Sequence, residues 1–257
     1  MKLPLLVFFL AILTSCASLR PAGPALVQGS TVPIQELQAT LPAGAVKFDL
    51  YLPAAARSAP LVVVAHGFLR TKANMAGWGK MLAAEGFVVA VPTLPTLSDH
   101  PRNARAIGEL TQWLCATLPY RDHIDAGRIG FMGFSAGGLS TLLAATDDPK
   151  VKIWVGLDPV DRDGLGLAAV PRLHAQCAIL RAEPSPWNAQ GNSRTLIEAL
   201  GPRCQTFLIP GAIHIDAEWP TDAMAELACG KSSDQCRSDF VSHALAALKA
   251  SLLSPAH

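Results

Sequence analysis

The sequence predicts an α/β fold: a mostly parallel central sheet covered by helices on both faces. Three observations carry that prediction. Strand-like runs such as 61–65 alternate with stretches of helical spacing such as 103–118, the order that builds parallel sheets. The run at 61–65 is continuously apolar and β-branched rather than alternating, as a strand buried on both faces must be. Gly133-Phe134-Ser135-Ala136-Gly137-Gly138 lies between an apolar run and the helix-forming stretch 139–145. That is the strand, sharp turn and helix in which a serine hydroxyl is exposed at the end of a central strand.

The elements follow in chain order. Residues 1–15 carry Lys2 and then an almost wholly apolar run at 3–13, too short to span a membrane as a helix, and read as an export signal. Leu13-Thr14-Ser15-Cys16 resembles a bacterial lipobox, which makes Cys16 the expected lipidation site. An ordinary secretory signal cut nearby is the other reading, and both export the chain. By resemblance to lipoproteins, Ala17 after the cysteine points to the outer membrane, facing the periplasm. Residues 16–34, rich in Pro, Gly, Ala and Ser, read as a flexible tether, and 35–257 as one domain.

Within that domain, 46–52 alternates like an edge strand and 61–65 is a buried one. A helix over 74–85 stops at Gly86. The strand at 87–91 is closed by Pro92. The helix over 103–118 aligns Ile107, Leu110, Leu114 and Leu118 on one face. Strands follow at 129–134, 151–157, 178–181 and 205–209, with helices at 193–200 and 239–253. Only about eighteen residues separate the 151–157 strand end from the next strand, so no large lid is expected there.

Composition narrows the partners. The formal net charge is +1, and no basic cluster supports nucleic-acid binding. No spacing of the CxxC or HxxxH kind occurs, so no metal is expected. Serine acyl-transfer chemistry needs no organic cofactor, so none is expected either, and the chain is expected to be a monomer. Besides Cys16 there are five cysteines. In an oxidising compartment Cys229 with Cys236 and Cys177 with Cys204 are candidate bridges, and Cys115 a buried free thiol.

Ligands of open α/β sheets bind beyond the carboxyl ends of the strands, and residues of catalytic type recur there. Ser135 is the candidate nucleophile. His214, after the last strand, is the candidate base, as the chain order serine, acid, histidine requires. His66 reads as a structural histidine under a loop; His100 and His123 fall in polar segments. The acid is open between Asp158, which ends the 151–157 strand, Glu183 one strand later, and Asp161. The N–H groups of Ala136 and Phe68 are the candidate oxyanion donors, and the rings of Phe68 and Trp187 the candidate walls of an acyl pocket.

Ala65-His66-Gly67-Phe68, the run 84–92, the serine turn, Gly156-Leu157-Asp158-Pro159-Val160-Asp161 and His214-Ile215-Asp216 resemble the α/β-hydrolases, specifically the chlorophyllase-like branch near bacterial lipases and polyester hydrolases. In that branch the first Asp of the Asp-Pro-Val motif is the triad acid, which implies Asp158. Chlorophyllases generally carry Arg after the nucleophile where this chain has Ala136, so chlorophyll is not the expected substrate. The resemblance implies a serine carboxyl ester hydrolase acting through an acyl-enzyme. The lack of room for a lid after Asp158 makes accessible small-molecule or lipid-like esters the expected substrates. The alternatives are a thioesterase, amidase or dienelactone-type hydrolase, or a non-catalytic binding lipoprotein of the same fold.

Overall fold

A computed structural model describes residues 32–54 and 57–254. The export signal, Cys16 and nearly all of the expected tether lie outside the described residues.

Eight strands form one sheet in the order β1-β2-β4-β3-β5-β6-β7-β8. The strands are β1 (Ile34–Leu41), β2 (Gly44–Tyr51), β3 (Ala59–Ala65), β4 (Val88–Pro92), β5 (Ile124–Phe134), β6 (Val151–Leu157), β7 (Gln176–Arg181) and β8 (Cys204–Leu208). β2 pairs antiparallel with β1 and with β4; every other pairing is parallel. The expected edge strand at 46–52 is therefore the second strand, and β1 is the edge. β1 escapes a hydrophobic-pattern reading because it faces water over its first half, with Ile34 itself exposed. Little apolar periodicity is needed where little is buried.

The central strands are the continuous apolar runs. All seven residues of β3 and all five of β4 are buried. Two layers cover them. On one face lie α2 (His100–Ala116), α3 (Ala136–Asp147), α4 (Leu165–Ala169) and α5 (Ser193–Leu200), which bury Ile107, Leu110, Leu142 and Leu196. On the other lie α1 (Ala76–Ala84) and α7 (Asp234–Leu252), which bury Trp78, Leu82, Phe240 and Leu248. A further helix, α6 (Ala223–Cys229), follows the last strand.

Two helices begin earlier than their apolar patterns suggest. Asp99 caps α2 by accepting from the Arg102 N–H at 2.9 Å, and Pro101 falls in the first turn, where a missing N–H costs no helical bond. Ser233 caps α7 through the Cys236 N–H. Cys236 thus sits in a first helical turn rather than at the rim of a loop. The expected bridges are not formed: all five cysteines are free thiols. Cys177 and Cys204 are nevertheless direct register partners on β7 and β8. Cys115 is half-buried rather than buried. Among the described residues, no helix is long and apolar enough to cross a membrane.

Candidate active site

β5 ends at Phe134, and α3 starts at Ala136. One residue must turn the chain through that corner, and Ser135 does so at φ +52°, ψ −120°. A non-glycine residue in this region is strained by about 1–3 kcal/mol. Glycines on either side make the corner possible. A Cβ on Gly133 would strike the Gly137 carbonyl, and one on Gly137 would strike the His66 carbonyl. The strand, the helix and the β3 loop therefore meet closer than side chains permit, and the serine Oγ is left at the rim.

His214 lies in a helical turn, His214–Ala217, after β8. Its Nε2 is 3.0 Å from Ser135 Oγ, and its Nδ1 is 2.6 Å from Asp158 Oδ2. Its ring packs against Phe134 with centroids 4.7 Å apart. Asp216 fixes this turn by accepting from the Ile213 N–H at 2.8 Å and the Ser233 N–H at 2.6 Å. The Trp78 indole N–H holds the Ala217 carbonyl at 2.9 Å.

Of the three candidate acids, Asp158 alone contacts His214. It sits at the end of β6 at φ +42° and is almost wholly buried. Its Oδ1 accepts from the Ala182 N–H at 3.1 Å, and its Oδ2 also accepts from Asn188 Nδ2 at 3.0 Å. Asp161 is engaged elsewhere, accepting from the Gly166 and Leu167 N–H groups at the start of α4. The Glu183 carboxylate reaches only the Gly211 N–H, at 3.5 Å. Asn188 was not singled out from sequence. It belongs to the β7 loop, and its side chain also accepts from the Ser185 and Gly191 N–H groups, so the donor to Asp158 is locked.

The Phe68 and Ala136 N–H groups donate to no acceptor among the described residues. Gly67 keeps the first of these beside the turn, because a Cβ there would press on the Phe134 ring and Ser135 Cβ. His66 holds the same loop. Its Nδ1 donates to the Gly67 carbonyl at 2.8 Å, and its Nε2 accepts from the Leu94 N–H at 2.9 Å.

Both His66 bonds require a neutral ring, and burial holds its pKa below the usual histidine value. The unfolded chain therefore takes up this proton first. The neutral ring's stabilisation is complete above about pH 6.5 and is lost as pH falls below it. The expected result is a fall in unfolding free energy from pH 7 to pH 5 that is shallower in His66→Gln, whose Oε1 accepts from the same amide without titrating. Urea unfolding of both proteins across that range checks this; equal slopes would remove His66 from the account.

Two clefts flank Ser135. The first, about 300 Å³, is lined by Phe68, Trp187, His214, Glu218 and Met224 among others. The second, about 560 Å³, is lined by Phe68, His100, Ala136, Val160 and Leu165 among others. Phe68 therefore borders both, and Trp187 only the cleft on the histidine side. Helix α6 walls the first cleft with Met224, Ala225 and Ala228. Beneath it the buried Glu218 carboxylate pairs with Arg70 at 2.5 Å, and burial raises its pKa while Arg70 partly offsets the rise. No group of His, Cys, Asp and Glu able to hold a metal ion occurs among the described residues.

Residues 20–184 match the family model "PETase: PET hydrolase-like", well over half of the chain. The chain belongs to the PET hydrolase-like family. Of the groups its motifs resemble, this match names the polyester hydrolases. The matched stretch holds Phe68, Ser135, Ala136 and Asp158, while Trp187 and His214 of this PET hydrolase-like chain lie beyond it.

A bis(hydroxyethyl) terephthalate hydrolase of Streptomyces coelicolor is 36% identical over 103 residues, 40% of this chain and 33% of that protein. Cutinase est1 of Thermobifida alba is 31% identical over 113 residues, 43% of this chain and 38% of that protein. The matched stretch thus spans little more than a third of these relatives. A dienelactone hydrolase from Anabaena variabilis superposes with TM-score 0.63 at 20% identity, over 83% of this chain and 99% of that one, which shows the shared α/β-hydrolase fold.

Proposed function

We propose that this protein is a serine carboxyl ester hydrolase working through an acyl-enzyme. One observation carries the reading. Asp158, His214 and Ser135 form a continuous hydrogen-bonded line beside two uncommitted backbone donors. The family match and the ester-hydrolase names of the relatives support it.

In the proposed mechanism His214 Nε2 takes the Ser135 proton as Oγ attacks the ester carbonyl. Asp158 keeps Nδ1 protonated and stabilises the imidazolium. The Phe68 and Ala136 N–H groups hold the oxyanion, a contribution of about 3–4 kcal/mol per donor. His214 then protonates the departing alkoxide and later activates the water that releases the acid. Both clefts are open at the surface, with Phe68 and Trp187 about half exposed beside them. That exposure favours esters presented at a surface over deeply enclosed ones.

We extend this to location on sequence grounds. The chain is exported and anchored through a lipid on Cys16, in the outer membrane facing the periplasm.

A panel of nitrophenyl esters, acyl thioesters and amides sharing one acyl group tests the reaction class. Esters are expected to be cleaved with the highest kcat/KM, and a fluorophosphonate to label Ser135. Faster thioester or amide cleavage would reassign the class. Absence of both turnover and label would leave a non-catalytic protein of the same fold.

A further inference from the structure

We infer that the second cleft is the acyl site and that His100 selects acyl groups carrying a hydroxyl, which makes esters of short hydroxy acids the preferred substrates. This rests on the acyl-enzyme reading above. The side assignment comes from proton transfer. The leaving alkoxide must take its proton from His214 Nε2, so the alcohol departs on the side His214 borders. His214 lines the first cleft and not the second. The acyl group, bonded to Ser135 Oγ with its oxyanion at the Ala136 amide, then extends into the second cleft, which Ser135 and Ala136 both line.

That cleft is apolar along Phe68, Leu97, Val160 and Leu165. Arg162 and Asp163 lie at its exposed edge, paired with each other at 3.5 Å. Ser98, also on the lining, is exposed; the buried polar group set into the wall besides Ser135 is His100, only 5% exposed.

The hydrogen bonds of His100 fix its tautomer. Ser140 Oγ lies 3.1 Å from the Ala136 carbonyl, which can only accept, so the serine proton goes there. The same Oγ lies 3.3 Å from His100 Nδ1. Having spent its one proton, Ser140 can only accept in this second contact, so Nδ1 carries the hydrogen. Burial, with the positive charge of Arg162, lowers the pKa of the ring against the opposing charges of Asp99, Asp163 and Asp161, which favours the neutral form. Nε2 is therefore a bare acceptor. It bonds no group among the described residues, nor is it among the sealed, unpartnered polar atoms.

A buried lone pair in that wall recognises a donor, and a hydroxyl is a neutral donor that an ester's acid part can carry. Its place is near the carbonyl. His100 is tied to Ser140, one helical turn beyond Ala136, a rise of about 6 Å. That corresponds to a hydroxyl on the third or fourth carbon.

The test compares ethyl esters of 3-hydroxybutyrate and 4-hydroxybutyrate with that of butyrate, following ethanol release against an enzyme-free control. In the wild type one hydroxy ester is expected to exceed the plain ester in kcat/KM by at least about fivefold, the effect of one hydrogen bond. His100→Asn keeps a donor toward Ser140 but has no atom at the Nε2 position, and should bring the ratio near one. His100→Gln places an oxygen there and should retain most of the preference. Ser140→Ala releases the ring and should lower the ratio by at least about threefold in a variant whose thermal unfolding shows it folded.

Wild-type ratios near one for both hydroxy esters, with butyrate cleaved normally, would overturn the inference and leave the esterase reading standing. A preference undiminished in His100→Asn or Ser140→Ala would overturn it too. No cleavage of any ester and no fluorophosphonate label on Ser135 would instead remove the reading on which it depends.

Discussion

Ser135→Ala is expected to lower kcat/KM for ester hydrolysis by about 10⁴–10⁶-fold, the loss seen when a triad nucleophile is removed. The size follows from the surroundings. His214 Nε2 has Ser135 Oγ as its hydrogen-bond partner at 3.0 Å. The other hydroxyl or thiol groups lining the two clefts are those of Ser98 and Cys229, and neither hydrogen-bonds to that histidine. No substitute nucleophile is therefore in place, and the residual rate would come from the two backbone donors and from binding alone.

The fold should survive. Alanine removes one oxygen from a side chain whose backbone is already at φ +52°, and it leaves the Gly133 and Gly137 contacts untouched. The measurement pairs initial rates on a nitrophenyl ester with thermal unfolding and fluorophosphonate labelling. Activity within tenfold of wild type, in a folded variant that no longer labels, would place the chemistry on another residue.

How much of this was legible in the sequence depends on what each residue's surroundings demand. The central strands and the serine corner were legible because their constraints are local. A strand buried on both faces must be continuously apolar, and a corner that tight must have glycines at its contact points. β1 was not legible, since a half-exposed edge strand needs no apolar stripe.

Helix starts were misplaced where capping, rather than apolar spacing, sets the boundary. Asp99 and Pro101 moved α2 three residues forward and turned His100 from a loop residue into a buried helical one. Asn188 was invisible for a different reason. Its importance lies in a bond across 30 residues to Asp158, and nothing in its neighbourhood marks it. Helix α6 likewise gives little sign in sequence, because Met224 and Leu227 point largely to solvent and leave no inward apolar face to detect. The acid was narrowed to three carboxylates by position and to Asp158 by resemblance. The other two do not serve because each faces backbone amides away from His214: Asp161 those of Gly166 and Leu167, and Glu183 that of Gly211.

Asp158→Asn is the sharper test of that assignment, with an expected fall in kcat of about 10⁴-fold and little change in KM. The carboxylate accepts the Nδ1 proton of His214 at 2.6 Å, and that contact leaves Nε2 bare to take the serine proton. An asparagine presents two possible faces. With its oxygen toward the Ala182 N–H, its NH₂ meets both His214 Nδ1 and the Asn188 amide. The histidine must then carry its hydrogen on Nε2, facing Ser135, where it cannot act as base. With its oxygen toward His214, the NH₂ meets the Ala182 N–H, and a buried donor pair is left unbonded at a cost of about 1–3 kcal/mol. Either arrangement removes the charge that stabilises the imidazolium.

Glu183→Gln should change kcat by less than about threefold, since that carboxylate makes a single long contact away from the histidine. Steady-state kinetics of both variants from pH 5 to pH 9 discriminate between the two carboxylates. A collapse in Glu183→Gln with Asp158→Asn nearly normal would move the acid to the β7 loop. It would also mean that the β6 strand end, held by Ala182 and Asn188, shapes the site without taking part in the proton transfer.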